Sequence, residues 1–428
     1  MSNRKTQQRS RHTTFTKANR EGSSLARSWW GIPIKFLATN KFRLLLLGAL
    51  SAAALILQGS PGPTYANALD WSATEIASSG KALLFAIPGQ GVSAAKRIAH
   101  KPAADLAELD AELDNQSNVT ATKAIPAGCE IAGLNAAPRG PWVALELACG
   151  RGHASLVQVA HAVTGEVKAM GAELGSHSLF LGWSPTGNEV IVRADMIGDS
   201  QVYLIHVASG KTIPLNVPMD TYNVAISQNG KRMVYSWTRG LGFGSETWVA
   251  NIDGGHARQV SNDPTQIIAY ARFSPNGDKL AYIRMPDSNI PFTVGELWVM
   301  NADGSGQTKL APADAGHGYA PDWSPDSQHI AFVYRENGSD TVADQFANRL
   351  ESNIFAANLI TGVVQRITKF TGTLAEAPVW SPDGVALAFS ARPTGGKADV
   401  WLVSSPGQPA RKVTQKAEAR YPTWTSGK

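Results

Sequence analysis

Trp380-Ser381-Pro382-Asp383-Gly384 is the stretch of this sequence that decides the fold, because it recurs along the chain. The other copies also join a bulky apolar residue to a turn-forming run: Trp183-Ser184-Pro185-Thr186-Gly187, Ile226-Ser227-Gln228-Asn229-Gly230, Phe273-Ser274-Pro275-Asn276-Gly277, Trp323-Ser324-Pro325-Asp326-Ser327 and the shortened Trp424-Thr425-Ser426-Gly427. Their serines and the threonine lie 43, 47, 50, 57 and 44 residues apart. This spacing is typical of one β-propeller blade per repeat.

The motif has the chemistry of a type I turn. Serine accepts backbone hydrogen bonds at the first position, proline fixes φ near about −65° at the second, aspartate or asparagine suits the third, and glycine suits the fourth. A β-rich run follows each turn, so the motif predicts a hairpin. These runs are Val190-Ile191-Val192, Met233-Val234-Tyr235, Leu280-Ala281-Tyr282-Ile283, Ile330-Ala331-Phe332-Val333 and Leu387-Ala388-Phe389.

A second hairpin completes each repeat, and four strands make one blade. Its first strand is predicted at Leu156–Val159, Val202–Leu204, Thr247–Val249, Leu297–Val299, Ile354–Ala356 and Val400–Leu402. The segment Trp142–Leu145 has no turn motif before it, whereas Tyr421–Trp424 has no partner after it. We therefore expect an all-β, six-bladed propeller in which the C-terminal strand completes the first blade and closes the ring.

The repeats resemble the TolB-like six-bladed propeller family, whose WD-like blades carry the Trp-Ser-Pro-Asp-Gly turn. The resemblance covers roughly residues 140–428 and implies an exported propeller that acts as a binding platform. The departures from the motif are Thr186, Gln228, Ser327 and the clipped last copy. No separate TolB N-terminal domain is recognisable, and residues 69–125 are interpreted as a linker with two short helices, one at 104–113.

The positive charge of the chain belongs to its N-terminal tail. Residues 1–43 contain ten Lys or Arg and one acid, Glu21, which leaves 29 basic and 33 acidic residues in the remainder. A nucleic-acid-binding protein keeps its basic surface on the folded domain, so no nucleic acid is expected as a partner. The predicted organisation is a basic cytoplasmic tail (1–43), a signal or membrane segment (44–60), a linker with short helices (61–139) and the propeller (140–428).

An uncharged run from Leu44 to Leu57 follows the basic tail and predicts an export segment. Two interpretations remain open. The short apolar run and the small residues near Ala68 favour a cleaved signal, whereas the long basic flank favours a single-pass anchor with its N-terminus inside. A buried core helix is the third alternative. Both export interpretations place the propeller outside the cytoplasm, in the cell envelope.

Cys129 and Cys149 are the two cysteines of the chain. Outside the cytoplasm a disulfide between them is expected, and it would tie the linker to the first blade with about 3 kcal/mol of stabilisation. The alternative is two separate buried thiols.

Catalytic and metal-binding signatures are absent from the sequence. It contains no Gly-x-Ser-x-Gly, no His-Glu-x-x-His and no pair of Cys-x-x-Cys motifs. We therefore predict no catalytic residue, no metal and no cofactor.

Two recurring positions mark candidate ligand-binding residues. The loops entering the first strands carry polar residues four or six positions before the bulky apolar residue: His177, Asp220, Tyr222, His317, Tyr319, Glu376, Glu418 and Arg420. Arginines follow the second strands at Arg193, Arg239, Arg284, Arg335 and Arg392. Both sets are expected on the face where the channel opens. Guanidinium groups on this face could bind anionic ligands such as carboxylates, sulfates or phosphates. The alternative is that they are solvated loop residues.

The longest such loop, residues 336–352, carries Asp340, Asp344, Arg349 and Glu351 and is the first candidate for partner contact. The favoured function is a binding scaffold that holds a protein partner or an anionic glycan on the channel-entrance face. A polysaccharide lyase or hydrolase with its site at the channel mouth is the alternative. The sensor portion of a transmembrane protein is a third reading, which the short cytoplasmic tail disfavours.

Overall fold

The computed structural model describes residues 83–87, 91–95, 125–150, 154–162, 164–174, 177–196, 199–315, 319–404, 408–414 and 418–426. Strands dominate this part of the chain. The helical segments within it are three 3₁₀ turns, Ala172–Leu174, Ala343–Gln345 and Ala347–Arg349. The prediction of an all-β propeller is confirmed.

Two short strands come first, β1 (Leu83–Ile87) and β2 (Gly91–Ala95). Six four-stranded antiparallel sheets follow, here called blades 1 to 6. Blades 1 to 3 comprise β3 (Cys129–Ala136), β4 (Trp142–Cys149), β5 (Ala154–His161) and β6 (Val167–Met170); β7 (His177–Trp183), β8 (Glu189–Met196), β9 (Asp199–His206) and β10 (Thr212–Pro214); and β11 (Thr221–Ile226), β12 (Arg232–Trp237), β13 (Glu246–Asn251) and β14 (Arg258–Ser261).

Blades 4 to 6 comprise β15 (Gln266–Phe273), β16 (Lys279–Pro286), β17 (Val294–Asn301) and β18 (Thr308–Asp314); β19 (Asp322–Trp323), β20 (His329–Arg335), β21 (Ser352–Asn358) and β22 (Val364–Arg366); and β23 (Thr373–Trp380), β24 (Leu387–Pro393), β25 (Asp399–Val403) and β26 (Arg411–Lys412). The last strand is β27 (Arg420–Trp424). Each blade uses four strands consecutive in the chain, so the six predicted four-stranded blades are confirmed.

A further sheet of three strands, here called the closing sheet, has the order β2-β1-β27. Leu83 pairs with Trp424, and Leu84 pairs with Thr423. Leu83 and Trp424 share an apolar core with blade 6, whereas Leu84 packs against the core of blade 1. The closing sheet therefore lies between the last and the first blade, where it joins the two ends of the described chain.

The predicted role of the C-terminal strand in blade 1 is wrong. The first strand of blade 1 is β3, which pairs with β4 along its length, whereas β27 pairs with β1. The small Ala136 stands where other blades carry a bulky apolar residue, so β3 lacked the expected motif. Strands β1, β2 and β3 all lie within 61–139, where the sequence predicts a linker. The predicted helix at 104–113, the tail and the export segment lie outside the described residues.

The recurring motif joins strands and also joins blades. In blade 6 the backbone N–H of Ala386 donates to Ser381 Oγ at 2.9 Å, and Gly384 takes the left-handed φ of 77° that ends the turn. The indole of Trp323 donates through Nε1 to the backbone oxygen of Arg272 in the preceding blade at 3.2 Å. Tryptophan thus fills the space between two sheets and satisfies a carbonyl of its neighbour.

Cys129 and Cys149 form a disulfide at directly opposed positions of β3 and β4. It therefore joins two strands of blade 1, whereas the sequence predicts a bridge from the linker to the blade.

Candidate functional site

A cavity of about 320 Å³ lies at the centre of the ring. The inner strand or inner segment of all six blades and of the closing sheet contributes to its wall. One residue from each is Leu134, Phe180, Asn223, Tyr270, Ala320, Pro378 and Tyr421. The strand order puts the Ser-Pro turns at one end of the ring and the loops between second and third strands at the other end, here called the entrance face.

Among the residues that the structure describes, three charged side chains line this cavity: Glu146, Arg272 and Asp322. Asn135 Nδ2 donates to Glu146 Oε1 at 3.0 Å, and the backbone N–H of Trp380 donates to Asp322 Oδ2 at 2.7 Å. The guanidinium of Arg272 has no hydrogen bond or ion pair with any described residue, so it lies more than 4.0 Å from both carboxylates. The three charges face the same space without touching.

The carboxyl groups of the cavity are weak acids. Burial raises the pKa of Glu146 from 4.5 to about 7, although the hydrogen bond from Asn135 and the charge of Arg272 oppose it. Burial likewise raises the pKa of Asp322 from 3.8 to about 6, against the Trp380 N–H and Arg272. Both groups therefore titrate close to neutral pH.

Glu146 reaches the cavity because Gly133 has no side chain. Glu146 belongs to β4, the second strand of blade 1, and its register partner on the inner strand is Gly133. A Cβ at position 133 would lie 2.5 Å from Glu146 Oε1. Glycine at this position therefore lets a second-strand carboxylate pass over the inner strand into the channel.

Bulges in the inner strands aim aromatic side chains into the cavity. The register of β15 shifts between Ala269 and Arg272, and Tyr270 at this bulge has a φ of 58°. Ala377 at the corresponding bulge of β23 has a φ of 53°, so this left-handed conformation is a recurring feature of the inner-strand bulges. The Tyr270 hydroxyl has no hydrogen bond to any described residue, and burial raises its pKa, so it remains a protonated donor.

Three of the predicted ligand-binding residues, Tyr319, Glu376 and Arg420, come together where the seam between blade 6 and the closing sheet meets the channel. Burial, followed by the charges of Glu376 and Tyr421, raises the pKa of Tyr319 well above its usual value. Arg420 pairs with Glu418, and both Glu376 and Arg392 are buried. The group forms a connected network of acids, arginines and tyrosines.

The remaining residues predicted from the entering loops have separate positions. Tyr222 lines the cavity, and its hydroxyl donates to the backbone oxygen of Ile268 in the next blade at 2.7 Å. Asp220 binds Ser200, with its backbone N–H donating to Ser200 Oγ at 3.0 Å. His177 begins β7 and is half-buried, while His317 lies outside the described residues.

The five predicted arginines do not form an open basic face. Arg335 is buried, donates to the backbone oxygen of Phe292 and pairs with Asp344 at 2.9 Å, so it anchors the long loop. Arg284 pairs with Asp263 at 2.6 Å. Arg239 pairs with Glu246 at 2.9 Å, and Arg193 and Arg392 are buried. The expected anion-binding surface is therefore largely neutralised by internal contacts.

Arg284 also borders a second cavity, of about 720 Å³, between blades 4 and 5. Lys309 and Glu296 line it as well, but they pair with each other at 2.5 Å. The charged groups of this second cavity therefore form ion pairs with carboxylates of the protein, whereas the guanidinium of Arg272 in the channel forms none with the described residues.

The entrance-face loops of blades 3, 4 and 5 interlock. Asp287 of blade 4 accepts hydrogen bonds through Oδ2 from the N–H groups of Gly242 and Gly244 in blade 3, at 2.7 and 2.8 Å. The N–H of Phe292 donates to the backbone oxygen of Asp344 in blade 5 at 3.1 Å. These contacts hold the three loops in one fixed arrangement.

Large apolar side chains are exposed on these same loops. They are Phe243 (63% exposed), Ile290 (36%), Val342 (51%) and Phe346 (49%), and we call them the apolar platform. Two of the four lie on the loop 336–352, which the sequence had marked for partner contact. The loops that carry them contact one another, so the four side chains lie on one face of the ring, and exposed apolar groups clustered on one face are typical of a protein-binding surface.

Neither a metal site nor a membrane helix is found among the described residues. No group of three His, Cys, Asp or Glu side chains there could hold a metal ion. No helix in those ranges is long and apolar enough to cross a membrane.

No family model matches this chain. A curated protein similar to it is dipeptidyl-peptidase 5 of Porphyromonas gingivalis, 24% identical over 151 residues. The match spans 35% of this chain and only 20% of that protein.

Among solved structures, TolB from Acinetobacter baumannii is 17% identical, with a TM-score of 0.43 over 82% of this chain and 81% of that one. A protein assigned as TolB from Agrobacterium tumefaciens is 19% identical, with a TM-score of 0.41 over 57% and 83%. Lyases and peptidases also have similar propellers. These likenesses concern the fold alone.

Proposed function

We propose that the chain is an extracytoplasmic binding propeller that holds a protein partner on its entrance face. The observation that carries this proposal is the apolar platform on three interlocked loops. Fixed loops lose little conformational entropy when a partner binds, a few anchor residues supply most of the binding energy in typical interfaces, and aromatic residues are enriched in the cores of such interfaces. Phe243 and Phe346 are therefore the residues expected to matter most.

A location in the cell envelope is part of the proposal. The uncharged run after the basic tail supports export, and a disulfide in blade 1 suits an oxidising compartment. Cleavage near Ala68 and retention of residues 44–60 as a membrane anchor remain the two forms of this proposal.

A protein partner is favoured over an anionic glycan by the arginines. An anionic polymer needs several accessible cations, but Arg239, Arg284 and Arg335 are paired with carboxylates of the same chain. The platform offers apolar surface instead.

Variants on the two ends of the ring test the proposal. Phe346→Asp and Phe243→Asp place charges on the platform, whereas Ile360→Asp changes a 72% exposed isoleucine at the opposite end. All four full-length proteins, the unchanged chain included, are used to capture envelope proteins of the producing cell. We expect a partner that is lost with both platform variants and retained with Ile360→Asp. Equal capture by all four proteins would contradict the proposal.

A lyase or hydrolase activity is the second candidate, and Glu146 is the observation that favours it. A carboxyl group with a pKa of about 7, facing an arginine, is suited to exchange protons with a substrate. Turnover of uronic-acid polymers by the chain and its loss in Glu146→Gln would support this candidate. Absence of turnover across such polymers would remove it.

A further inference from the structure

We propose that the central cavity binds a small zwitterion of the α-amino acid type, with its carboxylate on Arg272 and its ammonium group between Glu146 and Asp322. The site is separate from the apolar platform and does not depend on the proposed partner.

The size of the cavity limits the ligand to a small molecule. A volume of about 320 Å³ equals the share of roughly ten water molecules in the liquid. A free amino acid of about ten heavy atoms fits within this volume and leaves room for a few water molecules. Ligand cavities of this kind combine mostly apolar walls with a few convergent polar groups.

Arg272 is the cation of the site. Within the described ranges it is the one arginine or lysine that lines the cavity, and its guanidinium has no partner there. Arg258, Arg284 and Arg335 all pair with carboxylates elsewhere in the fold. A planar guanidinium that faces a cavity and is not paired with a carboxylate of the protein is suited to bind the carboxylate of a ligand. The Tyr270 hydroxyl lines the same cavity and supplies a neutral donor.

Glu146 and Asp322 are the anions of the site. Each has one oxygen fixed by a protein donor, Asn135 Nδ2 or the Trp380 N–H, which leaves the second oxygen for a ligand. Both carboxyls feel the charge of Arg272, yet neither lies within ion-pair distance of it. The space between the charges is where the ligand groups would lie.

One positive and two negative side chains in the same cavity favour a zwitterion over a ligand with a single charge. A plain anion would meet the two carboxylates, and a plain cation would meet Arg272, so each would bind against a like charge. An amino acid places opposite charges a few ångströms apart and can satisfy all three groups. The apolar wall, which includes Leu156 and Leu179, favours an apolar side chain.

Titration calorimetry of the full-length chain with the free L-amino acids tests the proposal. We expect at least one apolar amino acid to bind. Its methyl ester lacks the carboxylate and its N-acetyl derivative lacks the ammonium group, so each should bind at least ten-fold more weakly. Arg272→Gln should abolish binding, whereas Arg258→Gln, which changes a 61% exposed arginine on an outer strand, should leave it unchanged.

Three results would overturn the proposal: no amino acid binds, the ester and the N-acetyl derivative bind as tightly as the free amino acid, or Arg272→Gln retains full affinity. If thermal melting shows that Arg272→Gln does not fold, the affinities of the unchanged protein for the methyl ester and for the N-acetyl derivative test the proposal instead. Loss of partner capture would leave this result untouched, because the platform variants do not alter the cavity.

Discussion

Glu146→Gln should stabilise the protein at alkaline pH and change little at acid pH. Burial raises the pKa of Glu146 from 4.5 to about 7. Between these values the unfolded chain has lost the proton while the folded chain still holds it, so the stability contributed by this group falls as pH rises. Above pH 7 the folded protein carries a buried carboxylate at a cost of up to about 3 kcal/mol.

The glutamine removes this titration and keeps the hydrogen bond from Asn135, because its amide oxygen can accept at the same place. At pH 8 we expect the variant to be more stable by up to about 3 kcal/mol, or about 5 °C in Tm. Near pH 4.5 the two proteins should melt together.

Thermal melting of the unchanged protein and the variant, followed by circular dichroism from pH 4.5 to 8, measures this difference. Glu166→Gln is the matched control, because Glu166 is 54% exposed and pairs with Lys168 at the surface. Its Tm difference should vary little with pH. A pH-independent difference for Glu146→Gln, or a variant that melts lower at pH 8, would refute the reasoning. The expected pH-dependent difference would show that Glu146 lowers the stability of the folded protein at neutral and alkaline pH, as residues of functional sites often do.

Three further changes test the scaffold by thermal melting. Deleting residues 419–428 removes β27, so Leu83 and Phe85 of β1 lose their partner strand; we expect an aggregating protein, and an unchanged Tm would contradict the closing sheet. Replacing both Cys129 and Cys149 by alanine should destabilise blade 1 by about 3 kcal/mol, whereas a Tm insensitive to reductant would argue against the bridge. Arg335→Met leaves Asp344 without its partner in a buried pair and should cost about 3 kcal/mol, against less than about 1 kcal/mol for Arg239→Met at the surface; similar losses would show that Arg335 does not anchor the loop.

The blades could be predicted from the sequence because each turn motif is local. The Gly384 N–H donates to the Ser381 carbonyl oxygen, Ser381 Oγ donates to Asp383, and the next strand follows directly. The same chemistry recurs in five copies, so the period of the fold was visible without any long-range information.

The closing sheet could not be predicted in this way. Its first two strands in the chain, β1 and β2, are five residues long each and have no turn motif of this type. Their partner β27 lies more than 300 residues away in sequence. The core shared by Leu83 and Trp424 stabilises this pairing, and such packing leaves no periodic signal in the sequence.

The charged groups of the cavity were missed because bulges break the alternation of the inner strands. Counting back four or six positions found Tyr222 and Tyr319, whereas the bulge at Tyr270 brings both it and Arg272 to the channel. Glu146 belongs to a second strand and reaches the cavity only over Gly133. Polar or glycine residues one and three positions before the bulky apolar residue would have been the better signal.

The most direct test of the binding-scaffold proposal is site-specific photo-crosslinking in the producing cell. A benzophenone side chain introduced at position 346 lies on the apolar platform, and one at position 360 lies at the opposite end of the ring. The account predicts a discrete crosslinked partner protein from position 346 and none of it from position 360. The same crosslinks from both positions, or none from position 346, would contradict a partner on the entrance face.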